Sequence, residues 1–540
     1  MTTSTGWLNT TKYGIFIGII VVYVFGMFID VMDTDAAQYA SIAREMIETG
    51  NYLHFKHRFG DYLDKPPLLF WLSAVSMKIF GISNFAYKLP SVLVGLLCIY
   101  SVYRLMKIWY NEEIAYWSAL ILASSQTFFL IQNDIRTDTL QIGFTFFALW
   151  QLVAVEKTKK WKYIVGAGVG IGFGMLAKGP MSLMLPILAL GSDVLRKMEW
   201  KRIFNWRWLV VLGIAGIMLI PMLIAQHDMY GMKAIRFFFW SQSFGRLTGE
   251  SPWKNDAGYF FLLHSYLWAF APWTVLWVYA YIKETLGLAK KQTEYVIWGS
   301  FTFVFIALSF SNYKLPHYIY IVVPLGAMLT AKHIIPNKDK IKKFIAISQY
   351  TMNYVIFAFI FILLAWIFPA PWWWFAISII FFVVVQYLQW VKKQILISSI
   401  FSIITLHIIA SLYVYPILLR YQSTHEIANY VHKNMPKNYT FATYSFSNHS
   451  LDFYTNQIVP FIGFRGQLEK EVLQGKKIWL YMKEEDVPHI QEVSTISVRP
   501  IYKNTYFMVA NMSLDFILPH TRTKQLEKRC IVEVTAKSKL

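Results

Sequence analysis

Thirteen apolar runs separated by short polar breaks dominate the chain from residue 13 to residue 416. They fall at 13–30, 86–105, 114–132, 139–155, 163–177, 180–195, 208–226, 258–282, 294–310, 315–331, 346–367, 371–390 and 395–416. A membrane-crossing helix needs about 20 mainly apolar residues, so each run is a candidate span. The run from Pro66 to Phe80 is short and reads as a helix lying at the interface. The first run is unbroken from Tyr13 to Phe28 and reaches Asp33 without a small-residue cleavage site. It is expected to be a retained span rather than a secretory signal. After Tyr415 the pattern changes. Tyr439–Phe446, Ile458–Gly463, Lys477–Met482 and Thr505–Val509 read as strands, and Ser450–Thr455, Gln467–Gln474 and Glu485–Glu492 as helices. The expected fold is therefore mainly α: a polytopic membrane helical bundle of about 13 spans over residues 1–418, followed by a small soluble α/β domain over 419–540. That second part would cover or frame the outer site, and its basic tail, Arg522 to Leu540, is expected to be disordered.

Composition sharpens this picture. Of 540 residues, 56% are hydrophobic and 15% charged, which excludes an ordinary soluble enzyme. A net charge of +20 would suggest nucleic acid in a soluble protein, but here the basic residues sit in short loops between apolar runs, where they set orientation. No nucleic-acid partner is expected. With the N-terminus cytoplasmic, the inside loops hold Arg104 and Lys107, then Lys157–Lys162, then Arg196–Arg207, and so on to Lys392 and Lys393. Every short inside loop is then basic, as the positive-inside rule requires, and an odd span count leaves the C-terminal part outside a cell (inner) membrane. The two cysteines, Cys98 and Cys530, do not make a disulfide framework.

The chemistry-bearing residues gather on the outside segments. Asp33-Thr34-Asp35 follows the first span, where charge is costly unless it has a function. Asp35 also suits the N-cap of a helix over Ala36–Glu48 that ends at Gly50. Asp64-Lys65-Pro66-Pro67 sets an anion beside a cation in a stiff turn, and Lys65 can neutralise a phosphate as a point charge. Asp138 opens an apolar span, with Asp134 and Arg136 beside it read as solvated. Lys178-Gly179-Pro180 and Lys314-Leu315-Pro316-His317 each place a cation at an outer interface, where snorkelling is the bland alternative. His264 and His317 are metal ligands or hydrogen-bonded interface histidines. No H-E-x-x-H, Cys pair or G-x-S-x-G occurs, so neither a metal nor a serine nucleophile is demanded.

Taken in order, these motifs resemble a known family. They comprise Asp35 ahead of Tyr39-Ala40-x-Ile42-Ala43-Arg44-Glu45-Met46, Asp64-Lys65-Pro66-Pro67, Asp138, Leu176-x-Lys178-Gly179-Pro180 and Lys314-Leu315-Pro316-x-Tyr318. The set is similar to the lipid A aminoarabinose transferases and the related protein O-mannosyltransferase superfamily, integral-membrane glycosyltransferases of the GT-C type. The likeness covers the chain to about residue 330. It implies a polyprenyl-phosphate-linked sugar as donor and a lipid or protein acceptor among the membrane lipids. It further implies catalytic roles for Asp35 and Asp138, and donor-phosphate contacts from Lys65, Arg246, Lys178 and Lys314. Asp33, Tyr39, Asp64, His264 and His317 complete the expected pocket. No cofactor is certain, and a divalent metal is left open. The pattern departs at Gln38, where the family has arginine, and at Gln242-Ser243, where it has E-H ahead of the retained Arg246. These departures leave the sugar, the acceptor and any metal unspecified. Alternatives carried beside this reading are a protein O-glycosyltransferase, a glycan ligase or polymerase, and a lipid or solute transporter. Against the last, the charges cluster at one face and the chain shows no paired half-repeats.

Overall fold

The computed structural model describes residues 4–58, 60–242, 245, 250, 255, 257–290, 294–340 and 343–537. Each apolar run is helical there, whole or in two pieces. The first ten helices are α1 (Ser4–Met27), α2 (Asp35–Thr49), α3 (Leu68–Phe80), α4 (Asn84–Trp109), α5 (Glu112–Ala123), α6 (Gln126–Asn133), α7 (Thr137–Thr158), α8 (Trp161–Lys178), α9 (Met181–Lys197) and α10 (Arg207–Tyr230). Among the described residues, seven helices are long and apolar enough to cross a membrane singly, and the α5–α6 pair, bent by 51°, is an eighth candidate. The bend follows from Ser124 and Ser125, whose hydroxyls donate back to the carbonyls of Leu120 (2.6 Å) and Leu122 (2.8 Å). The run at 258–282 is likewise split, into Phe261–Ala269 and Thr274–Leu286.

The helix Trp372–Val391 leaves Ile379, Ile380, Val383 and Trp390 exposed. A band of that kind is stable only against lipid. The chain is a multi-pass integral membrane protein.

Small residues bring the central helices together. A methyl on Gly143 of α7 would lie 2.6 Å from the Val94 carbonyl oxygen of α4, and one on Gly168 of α8 would lie 2.9 Å from the Val211 carbonyl oxygen of α10. Lipid supplies no hydrophobic drive for helices to pair, so such close backbone approach is what joins them. A second device is Lys88, fully buried in α4. Its ammonium donates to the carbonyls of Gly26 (3.1 Å), Ile29 (2.8 Å) and Asn133 (2.9 Å). One side chain thereby satisfies carbonyls at the ends of α1 and α6, the two points where the chain leaves the bundle toward Asp35 and Asp138.

Between α2 and α3, β1 (Lys56–His57) and β2 (Gly60–Asp61) form a small antiparallel ribbon. The C-terminal portion carries a mixed sheet of β3 (Tyr439–Tyr444), β4 (Phe461–Ile462), β5 (Lys477–Lys483), β6 (Ile496–Tyr506) and β7 (Glu527–Ala536), in the order β4-β3-β5-β7-β6. β4, β3 and β5 run parallel, and β7 runs antiparallel to both β5 and β6. Here one expectation fails. The tail from Arg522 is ordered through Lys537, and β7 lies inside the sheet with Cys530, Ile531, Val532 and Val534 buried. Its basic residues drew attention from a β-branched core segment that pairs on both edges. The strand expected at 505–509 is the end of the longer β6, and the helix Thr424–Asn434 had no counterpart in the sequence reading.

Candidate active site

Four separate loops bring charge to one chamber. α2 begins at Asp35, directly after Thr34, and ends at Gly50 with φ 69°, close to the expected bounds. Asp35 does not cap the helix, because its carboxylate accepts from Arg136 Nη1 at 2.8 Å. Lys65 donates to Asp64 at 2.6 Å in the turn before α3, which starts immediately after Pro66-Pro67. Asp138 lies in the first turn of α7, where the helix dipole favours an anion. Lys178 lies in the last turn of α8, where the dipole favours a cation, and it donates to Asp138. Tyr313, Leu315, His317 and Tyr318 arrive from the segment opening the helical stretch Pro316–Lys338.

These residues enclose a cavity of about 190 Å³. Its wall carries three carboxylates, Asp35, Asp64 and Asp138, against three cations, Lys65, Arg136 and Lys178. A second, smaller cavity shares Lys65, Asp138, Lys178 and Tyr318 and adds Met181, Leu308 and Ile321. A polar chamber thus opens directly onto an apolar slot, a shape suited to a ligand with a charged head and a hydrocarbon tail. Arg136 is the hub of the polar part: it also binds Asp134 through Nε at 2.8 Å. Burial works to lower its pKa, but Asp134 and Asp35 outweigh that and raise it, so it is a permanent cation. The Lys178 ammonium lies 4.9 Å from the Tyr318 ring centroid, a cation–π contact that keeps it at the wall.

The structure brings Asp35, Tyr39, Asp64, Lys65, Asp138, Lys178 and His317 together on that wall. Three placements need correction. Asp33 does not line the cavity: its buried carboxylate turns toward the C-terminal portion and accepts from Tyr506 at 3.0 Å. Lys314 is buried beside the cavity with its ammonium 5.4 Å from the Tyr259 ring centroid, and neither cavity includes it. His264 is exposed on Phe261–Ala269, away from the chamber wall, because its position in that helix faces outward. Arg246 lies outside the described residues. Gln242, which stands where the family has an acidic residue, lines the apolar slot.

Sequence reasoning passed over Arg136. Its signal was the alternation Asp134-x-Arg136-x-Asp138 at the start of an apolar run, which sets one cation between two anions. Among the described residues, no three His, Cys, Asp or Glu side chains converge as a metal site would require. The chamber's carboxylates are each engaged by a cation instead, so these residues do not fit a resident metal.

Comparison with known proteins bears on this geometry. Residues 64–224 match the family model of the dolichyl-phosphate-mannose-protein mannosyltransferases. An undecaprenyl phosphate-alpha-4-amino-4-deoxy-L-arabinose arabinosyl transferase of Proteus mirabilis is 26% identical over 321 residues, 57% of this chain and 56% of that protein. The match therefore spans little more than half the length of that relative. The crystal structure of ArnT from Cupriavidus metallidurans in the apo state superposes with a TM-score of 0.77 at 15% identity, over 98% of both chains. The fold is GT-C. The resemblance drawn from the motifs holds. A second ArnT structure from Cupriavidus metallidurans, bound to undecaprenyl phosphate, superposes over 98% of both chains, with a TM-score of 0.74 and 17% identity. The C-terminal sheet is part of what both superpositions cover.

Proposed function

We propose that this chain is an integral-membrane glycosyltransferase moving a sugar from a polyprenyl-phosphate donor to a lipid A-like or other outer-face acceptor. The observation that carries the reading is the single cavity in which Asp35, Lys65, Asp138 and Lys178 converge, continuous with an apolar slot. The names of the curated relatives and of the undecaprenyl phosphate-bound structure support the donor class. In the proposed step an acceptor oxygen attacks the anomeric carbon, and the bond from that carbon to the phosphate oxygen breaks on the opposite face, inverting the configuration. Asp35 takes the acceptor's proton, and polyprenyl phosphate leaves with the bonding pair. Lys65 and Lys178 stabilise the growing phosphate charge, which is the main electrostatic demand of the step. Arg136 holds the Asp35 carboxylate aimed into the chamber.

The same reading sets the topology. Two of the basic loops assigned to the inside, after α7 and after α9, line a separate cavity with Lys157, Arg196, Lys197 and Arg202. Asp138 and Lys157 lie at opposite ends of α7, about 28 Å apart along its axis. The N-terminus is then cytoplasmic, residues 1–418 form the transmembrane catalytic domain, and residues 419–540 form an extracytoplasmic domain of an inner-membrane enzyme.

The test uses purified enzyme and a radiolabelled polyprenyl-phosphate sugar presented with lipid A, with membrane protein and with glycan as acceptors. Asp35→Asn and Lys65→Ala are each expected to reduce transfer by about 100-fold or more. The assignment fails if both variants transfer sugar at the wild-type rate. Which acceptor gains label decides between lipid modification and the protein or glycan alternatives.

A further inference from the structure

The segment joining α1 to α2 is held from α4 at Ile29 and Asp30 and, closer to Asp35, from the C-terminal portion. The Asp33 amide donates to Gln422 Oε1 at 2.7 Å, and the Gln422 side-chain amide donates back to the Val31 carbonyl at 3.2 Å. The Val31 amide donates to the Tyr454 hydroxyl at 2.7 Å. The Asp33 carboxylate, in a residue only 4% exposed, accepts from the Tyr506 hydroxyl at 3.0 Å and from Asn448 at 3.4 Å. Tyr506 is itself fixed by the Arg529 guanidinium of β7, 3.6 Å from its ring centroid.

Between the anchored Asp33 and the cavity-lining Asp35 lies Thr34, with φ 73° and ψ −111°. A β-branched residue adopts positive φ only where its surroundings compel it. Both ends of this turn are tied: Asp33 to the C-terminal portion, Asp35 to Arg136. Letting Thr34 relax would pull one of them off its partner.

We infer that residues 419–540 act as a positioning clamp in which Asp33, Gln422 and Tyr506 hold the strained Thr34 turn and so aim Asp35 into the chamber. Asp33 is then a positioning residue that faces away from the substrate, which accounts for its burial outside the cavity. The clamp extends along α2, where the Ser41 hydroxyl donates to the His449 carbonyl at 2.8 Å. The inference rests on the glycosyl-transfer reading above, since it assigns a role through Asp35.

The experiment uses full-length protein in detergent, with amide hydrogen exchange over residues 30–38 and donor-dependent transfer kinetics as separate readouts. Tyr506→Phe and Asp33→Ala are expected to speed exchange in that segment. They should lower kcat by about tenfold while leaving the donor KM within about twofold, the size that release of one strained residue predicts. Adding Thr34→Gly to Asp33→Ala is expected to recover several-fold of the lost kcat, because glycine adopts positive φ without strain. Tyr439→Phe serves as the control: it removes a hydroxyl from the same sheet that meets Glu533 at 2.6 Å, far in sequence from the turn, and should change neither readout. Unchanged exchange in both Tyr506→Phe and Asp33→Ala overturns the clamp whatever the activity. So does an Asp33→Ala/Thr34→Gly double variant no faster than Asp33→Ala alone. A wild-type chain that transfers no sugar overturns the proposed function instead, and exchange alone then decides whether the clamp exists.

Discussion

Asp33 is the buried carboxyl whose ionisation the surroundings oppose most visibly outside the membrane. Burial raises its pKa to about 6, and the hydrogen bonds from Tyr506 and Asn448, with the charge of Arg529, only partly pull it back. The folded chain therefore binds this proton more tightly than the unfolded chain, whose carboxyl titrates near 4. By linkage, this group's contribution falls as pH rises from about 4 to about 6 and is flat outside that window. A displacement of about two pKa units corresponds to roughly 3 kcal/mol. Asp33→Asn, which keeps an acceptor for Tyr506, should abolish that contribution. Thermal unfolding in detergent should show the variant gaining on the wild type between pH 4 and pH 6 and holding its advantage above. An advantage that does not vary with pH would mean that Asp33 does not titrate in this range. The same residue marks how far one-dimensional reading reached. Asp33 and Asp35 are two positions apart and equally acidic, and a one-dimensional pattern cannot say that a strained threonine turns them to opposite sides. Arg136 was passed over for a related reason: its two carboxylate partners lie on different loops, and its bond to Asp35 spans 101 positions.

At the scale of elements, α7 is the axis on which the site is mounted. It carries Asp138 at its first turn, packs on both α4 and α8, and is buried along most of its length. Gly143 sits one turn below Asp138 with the Val94 carbonyl oxygen only 2.6 Å from where a methyl would stand. Backbone cannot yield as a side-chain tip does, so Gly143→Ala is expected to push α4 from α7 at a cost of about 1–3 kcal/mol. Lowered thermal stability in detergent, with part of the activity retained, is the expected result; stability equal to wild type would place the two helices further apart than described. The helices themselves were legible because lipid-facing and buried faces are both apolar, so that length alone announces a span. What that signal hides is where a run breaks. The bend at Ser124-Ser125 and the split of 258–282 depend on local hydroxyl and backbone bonding inside runs that look continuous. β7 was missed by the opposite error, since Cys530-Ile531-Val532-Glu533-Val534 is a strand pattern set in a basic neighbourhood.

For the whole molecule, the alternation of basic loops makes a claim about sidedness that no single residue or helix can make. One miscounted crossing would move every later loop to the wrong face, yet Asp35, Lys65, Asp138 and Lys178, all assigned outside, meet in one chamber, and Lys157, Arg196, Lys197 and Arg202, all assigned inside, meet in another cavity. Thiol labelling can test this directly, because Cys98 and Cys530 are both free and buried and should stay silent toward a bulky, impermeant maleimide. Lys160, exposed between α7 and α8, and Ser447, exposed after β3, lie on the two proposed sides. In sealed cells Ser447→Cys should label fully, while Lys160→Cys should label only after the membrane is permeabilised. The reverse pattern would invert the molecule and remove the chamber from the outer face, where an outer-leaflet acceptor has to reach it. Labelling of both in sealed cells would leave an even number of crossings between the two positions. The membrane portion would then contain one span fewer or one more after α7, and the C-terminal sheet could not share a face with the chamber it is proposed to clamp.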